Sequence, residues 1–130
     1  MVTAVESFCE IYVRDLGLNI QWFVTELGFH CERSERDFAE LTAGATRLLL
    51  NSQAVAEFEP ANPIHKIAQN APRGAGVEIG IYVDDLDQAY AAIVNNDAFE
   101  IAGPPKAVPW GGRDFRMVHP DGFYIRIAGV

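Results

Sequence analysis

Two stretches decide the fold of this 130-residue chain: Phe8-Cys-Glu-Ile-Tyr-Val-Arg-Asp-Leu16 and Glu78-Ile-Gly-Ile-Tyr-Val-Asp-Asp-Leu86. They lie 70 residues apart and share a Tyr-Val step and an Asp-Leu step in the same register. Each is a short alternating run, which is typical of a strand, and each ends at an aspartate placed where a helix N-cap is needed. Because a helical pattern follows both aspartates, the sequence contains the same structural module twice.

Each half continues with further strands after its helix. The first helix is expected to end at Leu27-Gly28-Phe29, where a glycine can adopt the left-handed conformation. The additional strands are predicted over Phe38–Thr42, Thr46–Asn51, Phe99–Ala102, Asp114–His119 and Phe123–Ile127. The pattern predicts an α+β fold of two βαβββ modules in a single domain, with residues 1–52 and 76–130 as the modules. Residues 53–75 are a linker with one short helix around Ile64–Gln69, and Gly103–Gly112 is expected to be irregular.

Composition restricts the classes of partner. The chain is 49% apolar and 22% charged, and ten Lys and Arg against eighteen Asp and Glu give a formal net charge of −8. Because phosphate binding needs a cationic face, nucleic acid and anionic membranes are poor partners. Cys9 and Cys31 lack disulfide or metal spacing and are expected to be buried, reduced thiols. Neither a signal peptide nor a membrane-spanning run is recognisable, which predicts a soluble, cytoplasmic protein.

The two faces of each repeated strand differ in chemistry, because alternate residues of a strand lie on opposite faces. One face is apolar and is expected beneath the helices: Cys9, Ile11, Val13, Ile79, Ile81 and Val83. The other combines aromatic rings with carboxylates: Phe8, Glu10, Tyr12, Glu78, Gly80 and Tyr82. A mixture of this kind is a candidate ligand-binding lining. An ordinary exposed sheet face and a dimer surface are the alternatives.

Several motifs occur in an order and spacing that resemble a known superfamily. They are Val13-x-Asp-Leu, Trp22-Phe23, Leu27-Gly28-Phe29, Val83-Asp-Asp-Leu86, Trp110-Gly-Gly-Arg-Asp-Phe115 and His119-Pro-Asp-Gly122. Together they resemble the vicinal oxygen chelate superfamily, which contains glyoxalase I, extradiol dioxygenases, fosfomycin-resistance enzymes and bleomycin-resistance proteins. The resemblance runs from about Phe8 to Ile127. It implies paired βαβββ modules that form a curved mixed sheet around a cleft, commonly completed by a homodimer.

The resemblance also places four metal-ligand positions on this chain. They fall on Phe8, on the segment Arg47–Leu49, on Glu78 and on Arg126. A divalent ion needs several converging donors, and only Glu78 is one. The three histidines, His30, His65 and His119, are expected at the surface or in turns. We therefore expect no metal, no cofactor and no catalytic residue.

Trp110 is the principal candidate for ligand binding. Its segment resembles the Pro-Trp-Gly segment that presents an indole for stacking on a planar drug in bleomycin-resistance-like proteins, and Gly111 leaves space beside the ring. The alternative is that Trp110 covers the sheet edge as hydrophobic packing. Phe38 resembles another aromatic residue of the family cleft but could belong to the core, and Phe8 replaces a metal ligand with an apolar surface.

The charged candidates have more than one interpretation. Glu10 and Glu78 could contact a cationic group of a ligand, or serve as acid and base. Arg47 and Arg126 either neutralise those glutamates or bind an acidic group. The predicted ligand-binding set is Trp110, Phe38, Phe8, Glu10, Tyr12, Arg47, Glu78, Tyr82, Gly111 and Arg126.

These residues favour a non-enzymatic protein of the bleomycin-resistance type. It would sequester an aromatic, antibiotic-like ligand in a groove of the homodimer, and a cationic ligand is one option. The first alternative is a glyoxalase- or dioxygenase-like enzyme with a displaced metal site, which would need Glu78 to converge with His65 or His119. The second is a metal-free isomerase or lyase with Glu10 or Glu78 as the base.

Overall fold

Both repeated stretches build a strand followed by a capped helix. The computed structural model of the chain describes residues 1–52, 74 and 76–130. The chain divides into two compact units, Met1–Ala71 and Pro72–Val130. The short helix predicted around Ile64–Gln69, and His65 within it, lie outside the described residues.

The first unit contains one mixed sheet and one helical segment. Its elements are β1 (Cys9–Tyr12), α1 (Leu16–Gln21), a π-helical turn (Trp22–Glu26), β2 (His30–Ser34), β3 (Phe38–Ala43) and β4 (Thr46–Asn51). The strand order is β1-β4-β3-β2, with β1 parallel to β4 and the other pairs antiparallel. The wide π-helical turn buries Trp22 and Phe23 side by side, with their ring centroids 4.5 Å apart. Ile11, Leu41 and Leu50 form the buried inner face of the sheet.

The second unit repeats this topology. Its elements are β5 (Glu78–Val83), α2 (Leu86–Ile93), β6 (Glu100–Ile101), β7 (Lys106–Ala107), β8 (Arg113–Val118) and β9 (Tyr124–Gly129). The strand order is β5-β9-β8-β6, with β5 parallel to β9, and β7 also pairs with β8. Ile125, Ile127, Phe115 and Met117 lie on the inner face, which α2 covers through Ile93 and its neighbours.

The aspartates of the repeat cap both helices as predicted. The Leu18 N–H donates to the Asp15 carboxylate at 2.9 Å, and the Gln88 N–H donates to the Asp85 carboxylate at 3.0 Å. Gly28 follows the first helical segment with φ 77°. These caps satisfy N–H groups that have no partner within the helix.

The predicted α+β fold with two βαβββ modules is confirmed, and two strands were missed. Strand β2 is mostly exposed and reads His-Cys-Glu-Arg-Ser, so it has no apolar alternation to reveal it. Strand β7 is only two residues long and lies in the segment Gly103–Gly112, which was expected to be irregular. Both strands form because a neighbouring strand offers backbone partners, which a local pattern does not show.

The expectation of buried thiols was wrong for Cys9. Its side chain belongs to the predicted apolar face, but Cys9 lies at the start of an edge strand and is exposed. Cys31 is half-buried. Among the described residues no helix has the length and apolar character needed to cross a membrane.

Candidate ligand-binding site

Trp110 lies at the tip of a tight turn between β7 and β8. The Gly111 N–H donates to the Val108 carbonyl at 3.1 Å, and the Val108 N–H donates to the Gly112 carbonyl at 3.1 Å. Gly111 and Gly112 have φ 105° and 77°, values that a residue with a side chain rarely adopts. The two bonds fix the turn, and Trp110 is 66% exposed, so its indole is not part of the core.

Two arginines lie close to the Trp110 ring. The guanidinium carbons of Arg116 and Arg126 are 5.9 and 5.8 Å from the ring centroid, which is within cation–π range. Arg116 on β8 and Arg126 on β9 are direct cross-strand partners. Both therefore project from the outer face of the sheet, opposite to α2.

Two carboxylates hold these arginines together. The Asp114 side chain is only 3% exposed; it accepts from Arg116 Nε and Nη2 at 3.4 and 3.3 Å and lies 4.0 Å from Arg126 Nη1. Glu78 on β5 lies 3.3 Å from Arg126 Nη2. Arg116 also donates to the Tyr124 hydroxyl at 3.1 Å, and the bonds to Asp114 and then Tyr124 raise the pKa of Arg116. Like charges on directly opposed residues repel, so the carboxylates are needed to keep the pair in place.

We call these six residues the Trp110 cluster: Trp110, Arg116, Arg126, Asp114, Glu78 and Tyr124. A cavity of about 180 Å³ adjoins it, lined by Ala102, Gly103, Pro104, Lys106, Asp114, Phe115 and Arg116. The structure thus brings Trp110, Glu78 and Arg126 of the predicted set together, with Gly111 beside the indole. Tyr82, further along β5, is 75% exposed on the same sheet face.

Arg116, Asp114 and Tyr124 were missed by the sequence analysis. A signal was available, since Asp114 and Arg116 alternate with the apolar Phe115 and Met117 on β8. The same reasoning that assigned a mixed face to the repeated strands assigns one to β8.

The remaining predicted residues lie in the first unit, on the outer face of its sheet or just before β1. Glu10 accepts from the Tyr12 hydroxyl at 3.4 Å, and burial, followed by the charge of Glu10, raises the pKa of Tyr12. Phe8 is 64% exposed. Phe38 is half-buried, lies under the Arg33 guanidinium at 4.7 Å, and contributes to an open groove of about 500 Å³.

The two arginines of the predicted set have different partners. Of the two roles left open for Arg126, the structure shows the ion pair with Glu78. Arg47 neutralises neither predicted glutamate. It lies 3.2 Å from Glu6 and 3.6 Å from Glu40, because Glu40 is a neighbour across β3 and β4.

The expectation of a surface or turn position for His119 was incomplete. His119 follows β8 at the turn, but its side chain is 1% exposed and lies between the rings of Phe99 and Phe123 at 5.7 and 5.6 Å. Its Nδ1 accepts from the Asp121 N–H at 2.9 Å, and burial lowers its pKa to about 4. His30 is exposed, as expected.

The residues at the metal-ligand positions that the family resemblance implies do not fit a divalent ion. Two of the expected metal-ligand positions lie in the second unit, and Arg126 and Glu78 occupy them. The Arg126 guanidinium lies against the Glu78 carboxylate. Across residues 1–52, 74 and 76–130, no three His, Cys, Asp or Glu side chains form a group that could hold a metal. Because the positively charged Arg126 guanidinium occupies a ligand position, the site does not offer the converging oxygen and nitrogen donors that a divalent ion requires.

Comparison with known proteins agrees with this fold. Residues 7–127 match the family model of the Glyoxalase/Bleomycin resistance protein/Dioxygenase superfamily, so the chain belongs to that superfamily. No curated protein sequence matches the chain.

Similar solved structures share the fold at low sequence identity. One is a glyoxalase/bleomycin resistance protein/dioxygenase from Nocardioides, with 19% identity, TM-score 0.71, and coverage of 99% of this chain and 85% of that one. Another is a glyoxalase/bleomycin resistance protein/dioxygenase family enzyme from Burkholderia phytofirmans PsJN, with 19% identity, TM-score 0.73, and coverage of 95% and 97%. A third is a glyoxalase-related enzyme from Fulvimarina pelagi, with 15% identity, TM-score 0.73, and coverage of 96% and 88%.

Proposed function

We propose that this protein binds a small aromatic compound without transforming it, as an antibiotic-sequestering member of its superfamily. The observation that carries the proposal is the exposed indole of Trp110, held on a hydrogen-bonded turn above two arginines. An indole on a fixed turn offers a large flat contact area at a low cost in conformational entropy.

The arrangement around Trp110 favours binding over catalysis. Glu78 is paired with Arg126, and Glu10 accepts from Tyr12, so each of these carboxylates has a contact within the structure. A metal-dependent reaction of the glyoxalase or dioxygenase kind needs three or more converging donors, whereas the two carboxylates of the Trp110 cluster are paired with arginines. Protection would then follow from affinity and protein abundance alone.

Fluorescence titration tests the proposal directly. The chain has two tryptophans, and Trp22 is 2% exposed, so a ligand that quenches only the exposed emission reports on Trp110. The protein is titrated with bleomycin, mitomycin C and an enediyne, and each compound is afterwards examined by mass spectrometry. Saturable quenching that is absent in Trp110→Phe, with an unchanged ligand, supports sequestration.

The alternative activities give different results in the same experiment. An altered ligand would identify an enzyme, and loss of turnover in Glu78→Gln or Glu10→Gln with retained binding would identify the base of a metal-free isomerase or lyase. A stoichiometric divalent ion in the purified protein would favour a glyoxalase-like enzyme. The homodimer that the family resemblance implies is part of the proposal, and light scattering after size exclusion measures it.

A further inference from the structure

The surface around Trp110 has the opposite charge to the protein as a whole. The chain carries a formal net charge of −8. Arg116, Arg126 and Lys106 project from the same sheet face near the indole, where Asp114 and Glu78 are the acids beside them in the part of the chain that the structure describes. Glu100, another acid of this face, pairs with Val118 at the far end of β8. The region beside the ring is therefore locally cationic.

The depths of these charges make the cationic character accessible. Asp114 is 3% exposed, whereas the side chains of Arg116 and Arg126 are 34% and 27% exposed. Lys106 is exposed, lines the cavity of about 180 Å³, and has no ion-pair partner among the described residues. Glu78 is 37% exposed and is paired with Arg126. A molecule that approaches the indole thus meets Arg116 and this ion pair before it meets the buried Asp114.

The two arginines also retain unused hydrogen-bond donors. A guanidinium has five N–H groups in a planar fork. Three donor contacts of Arg116 reach Asp114 and Tyr124, and Arg126 Nη1 is 4.0 Å from Asp114, too far for a hydrogen bond. Since the two residues are cross-strand neighbours, both guanidinium groups lie on the same sheet face, 5.9 and 5.8 Å from the centroid of the Trp110 ring.

We infer that the compound bound at Trp110 carries an anionic group, such as a carboxylate, that Arg116 and Arg126 bind while its ring stacks on the indole. The inference rests on the proposed binding function and names the ligand class of that site. A cationic group in this place would meet two guanidinium groups at the indole, and the exposed acid beside them, Glu78, is already paired with Arg126. Planar anions are the groups that paired arginines recognise best.

Three probes with one ring system and different charge test the inference: 2-naphthoate, 2-naphthamide and 2-naphthylmethylammonium. Their affinities are measured by titration calorimetry with the full-length protein at low and high salt. We expect 2-naphthoate to bind roughly tenfold more tightly than the ammonium probe, with the amide between them and the difference reduced by salt.

Charge variants assign the preference to the cluster. Arg116→Gln should remove most of the preference for 2-naphthoate, and Glu78→Gln should strengthen it about threefold or more by releasing Arg126. Arg113→Gln is the matched control, because it also removes one positive charge from β8. Arg113 lies outside the Trp110 cluster and pairs with Asp87 of α2 at 3.0 Å. If Arg116→Gln fails to fold, as judged by circular dichroism, the ranking of probes and Glu78→Gln decide the question.

The possible failures are distinguishable. If the probes bind with equal affinity, or the ammonium probe binds best, the anionic ligand class is wrong and the binding function stands. If no probe binds to the folded protein, the inferred anionic ligand class falls, whereas the proposed function falls only if bleomycin, mitomycin C and the enediyne also fail to bind. If Arg113→Gln has the same effect as Arg116→Gln, the preference reflects net charge and the assignment to the cluster is overturned.

Discussion

Replacement of Trp110 by alanine should weaken ligand binding and leave the protein's stability nearly unchanged. The residue is 66% exposed, so the core loses little when the ring is removed. An indole offers roughly 150–250 Å² of surface, of which a flat ligand on one face covers about 80 Å². At about 25 cal/mol per Å², this contact contributes about 2 kcal/mol, which corresponds to roughly a 30-fold loss of affinity.

Calorimetry with 2-naphthoate measures that loss without using the fluorescence of the deleted ring. The free energy of unfolding, from urea titration, should change by less than about 0.5 kcal/mol. The matched control is Trp22→Ala, since Trp22 is 2% exposed and its removal should destabilise the protein by about 3–5 kcal/mol. A strongly destabilised Trp110→Ala would show that the ring is structural packing and would refute the site assignment.

Three further predictions concern stability. Because burial lowers the pKa of His119 from 6.5 to about 4, the unfolded chain takes up this proton first as the pH falls. The stability that neutral His119 contributes should be complete above pH 6.5 and lost towards pH 4, and urea titrations across this range should show a shallower loss for His119→Asn. Gly74→Ala should destabilise by roughly 1–3 kcal/mol, because φ is 72° and the new Cβ would lie 2.8 Å from Phe123 Cα. Gly76→Ala, with φ 77° and open space around its Cβ, should destabilise less, and thermal melts compare the two. Asp85→Ala should cost about 1 kcal/mol through loss of the α2 cap in urea titration, whereas Asp84→Ala should cost almost nothing.

Asp114 is the residue that makes the cluster possible. Two guanidinium groups at directly opposed positions on β8 and β9 repel each other, and the buried carboxylate that both approach offsets that repulsion. Its own burial is compensated by the hydrogen bonds that it accepts from Arg116. We regard Asp114 as a positioning residue, since its side chain is 3% exposed and its hydrogen bonds go to Arg116.

The repeated module was predictable because its signals are local. Alternation of apolar residues specified β1 and β5, and an aspartate directly after each strand specified the start of each helix. The exposed β2 and the two-residue β7 were missed because pairing with a neighbouring strand, which is not encoded locally, stabilises them.

The sequence by itself determined the α+β class, the two modules and the segment that presents Trp110, since periodicity, capping and turn residues act over a few positions. Only the tertiary structure decided which charges meet. Arg116 and Arg126 are ten positions apart in the chain and become neighbours through the register of β8 and β9, and Glu78 joins them through the parallel pairing of β5 with β9. Tertiary packing likewise buried His119 and left Cys9 exposed on an edge strand. Such contacts depend on the register in which the strands pair, and local patterns in the sequence do not show that register.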